Sequence, residues 1–191
     1  MISYMAEIKA KSKAQIYTIN LVLTAMFTAI ICVLSQIQIP IQTIPFTLGL
    51  LAIFLTGALL KPRYAFLAVL VYLLLGAVGV PVFAGFSAGL HILTGPTGGY
   101  LMSFPFVALI TSFFCNKFRR YTPLALTCGM LVSLLVCYLL GTIWFCFVTE
   151  YTFFAALNLC VFPFILFDLS KIALSVFIGL AIRKAIVKNG F

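Results

Sequence analysis

With one exception, every Lys and Arg in this 191-residue chain stands before, between or after long apolar runs. Six such runs cover residues 16–37, 47–60, 64–79, 100–116, 123–148 and 161–186. A helix needs roughly 20 apolar residues to cross a bilayer core about 30 Å thick. Residues 47–60 fall short of that, so this helix begins inside, or is capped by, the Pro-containing loop before it. The pattern predicts an all-α integral membrane protein with six transmembrane helices.

Composition agrees about the solvent. The chain is 64% hydrophobic and 8% charged, where a soluble domain carries about 25% charged residues. Six spans leave no room for a nucleotide-binding domain or a large extramembrane catalytic domain. The net charge of +9 does not point to nucleic acid, because the cations gather at the ends of the runs. Lys9, Lys11 and Lys13 precede the first run, and Lys61 and Arg63 share one break. Lys117, Arg119 and Arg120 share another, and Arg183, Lys184 and Lys188 close the last run. An even number of spans puts all of these on one side. The opposite loops, residues 38–46, 80–99 and 149–160, contain neither Lys nor Arg. The positive-inside rule then makes both termini cytoplasmic. Residues 1–15 read as a short cytoplasmic tail rather than a secretory signal, because no small-residue cleavage site closes the following run. Residues 16–191 read as a single six-helix membrane domain.

Asp168 and Lys171 are the acid and the base that lie well inside a run. Three residues apart, they share one face of a helix. A charge at bilayer depth costs about 2.5–3.5 kcal/mol on insertion scales, so the pair predicts a face turned into the bundle. It reads either as a structural ion pair or as a polar binding point for a small ligand. Asn158, just before this run, either lines the same cavity or sits in the loop.

Residues 80–99 hold five Gly, two Pro and almost no charge, a composition that folds back against a bundle rather than into water. Gly98 and Gly99 open the fourth run, where free N–H groups of a helix start favour an anion or a carbonyl oxygen. The alternative is a turn and a helix start with no ligand. Tyr100 follows, either as a ligand contact or as an interface aromatic. Ala25 and Ala29 form a small-xxx-small pair in the first run, a spacing that lets another helix approach closely.

Several chemistries find no support. The phosphate-cradling pattern G-x-x-x-x-G-K-[ST] does not occur, so the chain does not itself hold ATP. The one His, His91, has no neighbouring carboxylate for a catalytic set. The six Cys lie mostly within the runs, without C-x-x-C spacing or a nearby His, and read as small buried hydrophobes rather than metal ligands. No enzyme activity, cofactor or metal is expected.

Three blocks carry a resemblance. They are Val71-Tyr72-Leu73-Leu74-Leu75-Gly76, then Gly79-Val80-Pro81-Val82-Phe83-Ala84-Gly85, then Gly95-Pro96-Thr97-Gly98-Gly99-Tyr100. Together with Pro45-Phe46-Thr47-Leu48 and the Asp168–Lys171 pair, the sequence resembles the BioY family. These are the biotin-specific substrate-binding (S) components of energy-coupling factor (ECF) transporters. The chain departs from the family pattern at Gly49, where Gln is frequent, and at Phe86 and Ser87, where further Gly are common.

The resemblance implies a six-helix S-component bundle in the cell membrane that binds biotin from outside. It also implies docking on a shared module made of a transmembrane coupling protein and two cytoplasmic ATPases, with Ala25 and Ala29 matching the docking motif. A self-contained secondary transporter of biotin or a similar vitamin is the alternative. Biotin suits the polar residues: its ureido ring offers two N–H donors and one carbonyl acceptor, for Asp168 and Lys171 respectively. Its carboxylate would then meet the Gly98 and Gly99 N–H groups. The reverse pose, with Lys171 on the carboxylate, is equally sensible physically. The Gly95–Tyr100 segment is expected to close the site from the outside.

Overall fold

The computed structural model describes residues 13–41, 44–118 and 122–188. Most of the expected tail, with Lys9 and Lys11, lies outside the described residues, as do Arg119 and Arg120. The first helix, α1 (Lys13–Gln36), starts three residues before its apolar run. At about 1.5 Å per residue its 24 residues are long enough to cross a bilayer. Several of its polar side chains bond to carbonyls one turn earlier in the same helix, as suits an apolar solvent. Asn20 Nδ2 donates to Ile16 O at 2.7 Å and Thr24 Oγ1 to Asn20 O at 2.8 Å. Thr28 Oγ1 lies 2.9 Å from both Thr24 O and Ala68 O, which ties α1 to a neighbouring helix.

A two-stranded antiparallel hairpin follows, β1 (Gln38–Ile41) and β2 (Ile44–Thr47), paired Gln38 to Thr47 and Ile39 to Phe46. Among the described residues the chain is helical apart from this hairpin, and Thr47, expected to open a helix, closes the hairpin instead. Next comes α2 (Gly49–Leu59), buried continuously from Gly49 through Ala58. A helix apolar on every side belongs at the centre of a bundle, and α2 packs on α1 and on three later helices. It stops where Pro62 forces Lys61 into an extended conformation, φ −68° and ψ 152°.

Pro62 opens α3 (Pro62–Val78), which ends in Gly79 at φ 110°, a left-handed cap that only Gly adopts readily. The segment expected to fold back does so. Phe83 is buried edge-on against Tyr72, with ring centroids 5.6 Å apart, and Gly89 N donates to Gly76 O at 2.7 Å. A short helix, α4 (Leu90–Thr94), leads into α5 (Gly98–Lys117). Then come α6 (Thr122–Thr149), a short α7 (Phe153–Cys160) inside the expected loop, and α8 (Phe162–Lys188).

The α5–α6 seam alternates ring and glycine. A Cβ added at Gly99 would overlap Trp144, one at Gly141 would overlap Tyr100, and one at Gly129 would lie 2.8 Å from Phe114 Cβ. Small residues give close helix approach in lipid, where dispersion contacts replace the hydrophobic effect as the driving force. Among the described residues, α1, α5, α6 and α8 are long and apolar enough to cross a membrane, while α2 and α3 are shorter apolar helices.

Candidate functional site

Asp168 and Lys171 sit on the inward face of α8, 5% and 6% exposed. Lys171 Nζ donates to Asp168 Oδ1 at 2.7 Å. Tyr138 on α6 donates its hydroxyl to the other carboxylate oxygen, Oδ2, at 2.6 Å. Lys171 Nζ also lies 3.9 Å from the centroid of the Phe46 ring, which β2 brings over the ammonium. Phe46 itself rests on Phe167, 5.2 Å between ring centroids. The two charges are thus held by a partner of opposite sign, a phenol and an aromatic face, the combination that makes a buried ion pair tolerable.

Asp168, Lys171, Tyr138 and Phe46 line a cavity of about 80 Å³ between the hairpin, α2, α5, α6, α7 and α8. Phe104, Phe164 and Leu50 supply apolar wall, and Tyr100, Cys137 and Thr47 supply polar atoms. Ser103 Oγ donates to Cys137 Sγ at 3.0 Å, and the Tyr100 hydroxyl lies 3.2 Å from Thr142 Oγ1. Of the three N–H bonds on Lys171, only one has an acceptor among the described residues. A mainly apolar chamber lined by a few polar groups suits a small, partly apolar molecule that carries both donors and acceptors.

Three of the expected site residues line this chamber: Asp168, Lys171 and Tyr100. Gly98 and Gly99 do not. A Cβ at Gly98 would overlap the Leu93 carbonyl, and the Gly98 N–H donates to Gly95 O at 3.0 Å. Both glycines are accounted for by close packing at the start of α5. Asn158 is exposed on α7, and its amide donates to Phe154 O at 3.0 Å. Ala25 and Ala29 lie on an exposed face of α1 beside exposed Val22, Met26 and Val33.

Tyr138 is not among the residues expected from sequence, and Phe46 enters there only within the Pro45–Leu48 block, not as a site residue. One signal for Tyr138 was available, since Tyr belongs at the membrane–water interface and this one falls mid-helix, where its hydroxyl needs a partner.

The family model for the BioY family matches residues 7–188. The chain belongs to the BioY family. This BioY chain is 38% identical over 167 residues to "Biotin transporter BioY2" of Lactococcus lactis subsp. cremoris (strain MG1363), covering 87% of this chain and 91% of that one. It is 41% identical over 157 residues to "Probable biotin transporter BioY" of Pyrococcus horikoshii, covering 82% and 91%. Its fold matches the crystal structure of the S-component for biotin from an ECF-type ABC transporter. The TM-score is 0.84 at 28% identity, over 92% of this chain and 95% of that one. With four helices among the described residues long and apolar enough to span, this BioY chain is a multi-pass protein of the cell membrane.

Proposed function

We propose that the chain is a biotin-binding membrane subunit for biotin uptake, the S component of an ECF-type transporter, and not an enzyme. The observation that carries this reading is the Asp168–Lys171–Tyr138 cluster in the lining of a mainly apolar chamber. Relatives named as biotin transporters and the S-component fold support it. Asp168 accepts from ureido N–H groups, and the free N–H bonds of Lys171 donate to the ureido carbonyl. Tyr100 and Phe104 wall the thiophane ring and the chain. Gly98 and Gly99 contribute by letting the Gly95–Tyr100 segment pack tightly over the site, and Asn158 stands outside the contact set.

The same reading gives six spans in one domain over residues 16–191, with α2 and α3 crossing as shorter helices and both termini cytoplasmic. Residues 1–15 are the cytoplasmic tail. The hydrogen bond from Arg183 Nε to Ala58 O, 3.1 Å, and that from Ser112 to Leu60 O support a common end for α2, α5 and α8. Energy comes from outside the chain: a transmembrane coupling protein and two cytoplasmic ATPases dock through the Ala25–Ala29 face of α1. No cofactor takes part, and biotin is cargo. Equilibrium binding of radiolabelled biotin to the purified chain without ATP tests the reading. Saturable binding with no turnover of the ligand is expected; no binding, or conversion of biotin, would overturn it.

A further inference from the structure

We propose that Tyr138 is a positioning residue of this site, holding the Asp168 carboxylate in the orientation in which it and Lys171 receive the ligand. The proposal rests on the biotin reading above.

The carboxylate of an Asp turns within a broad torsional well. Lys171 reaches it from the same helix on a flexible four-carbon stem, so the ion pair by itself leaves the plane of the carboxylate unfixed. Tyr138 approaches from a different helix with only two side-chain torsions. Its 2.6 Å contact to Oδ2 lies in the range of charge-assisted O–H···O⁻ bonds. One oxygen is then held from α8 and the other from α6, and the carboxylate plane is set.

An ionised carboxylate has about four acceptor sites. Tyr138 and Lys171 use two, and the remainder face N–H donors of the ligand. The Tyr138 hydroxyl has no other hydrogen-bond partner among the described residues. A Phe would fill the same volume in the wall, so the hydroxyl is accounted for by Asp168 alone.

The test is a double-mutant cycle read by biotin binding to the purified full chain. Tyr138→Phe should weaken binding by about tenfold or more, the scale of one hydrogen bond to a charged group. In an Asp168→Asn background the same change should alter affinity by less than about twofold, because the group through which Tyr138 acts has lost its charge. Unchanged affinity in Tyr138→Phe, or an equal loss in both backgrounds as a packing role would give, overturns the proposal. Absence of biotin binding in the unmodified chain would instead sink the functional reading itself. Should Tyr138→Phe fail to fold, the full chain with 3-fluorotyrosine at position 138 takes its place. Its fluorine resonance should move on adding biotin and on Asp168→Asn; a resonance that ignores both contradicts the proposal.

Discussion

Lys171 Nζ reaches Asp168 Oδ1 at 2.7 Å from one turn along α8, with both side chains almost wholly buried. Apolar residues of similar volume fill such positions at equal or lower free-energy cost. The bundle therefore does not need the pair for stability, and the proposed compensation is the ligand it receives.

Removing one member should hurt the fold more than removing both. Lys171→Met leaves the carboxylate buried without its cation and should cost about 3–5 kcal/mol of ligand-free stability. Asp168→Asn with Lys171→Met should recover most of that loss while binding no biotin. Unfolding of the detergent-solubilised variants measures the first part and ligand binding the second. A double variant with native affinity would reduce the pair to a structural device.

Gly98 serves packing. Gly98→Ala forces a methyl against the Leu93 backbone carbonyl, which cannot swing aside as a side chain would. Overpacking of this kind costs about 1–3 kcal/mol. Unfolding that matches the parent chain would show that the start of α5 is looser than described.

The exposed Ala25–Ala29 face makes a separate prediction about docking. Ala29→Trp should abolish assembly with the energising module, and with it uptake, while biotin affinity stays at its native value. Co-purification with the module and equilibrium binding read the two halves. Loss of biotin binding in a folded Ala29→Trp protein would move this face from docking to the ligand site.

Topology is tested by labelling single Cys residues on a Cys-free background. Lys61→Cys should react from the cytoplasmic side and Ser87→Cys from the opposite side. Reaction of both from one side would break the six-span arrangement.

The long helices were legible because their run lengths match a bilayer, and the shorter α3 is bounded by Pro62 and Gly79. The inward-facing pair was legible because two charges three apart in an apolar helix have nowhere else to go. The hairpin was not. Pro40 and Pro45 argue against strands, yet they pair with each other in a sheet of two strands, where both strands are edges. Gly98 and Gly99 announced a close approach without saying what approaches, and the answer is Leu93 and Trp144. Tyr138 lies 30 residues from Asp168 on another helix, and no local pattern links positions that only tertiary packing brings together.

The central claim is that the buried pair contacts biotin, and the affinity of Asp168→Asn for radiolabelled biotin tests it most directly. Asn keeps the shape and one acceptor but loses the charge, so binding should weaken by about 1.5–3 kcal/mol while the chain still inserts and folds. Native affinity in a well-folded Asp168→Asn protein, with Lys171→Ala equally neutral, would contradict the account.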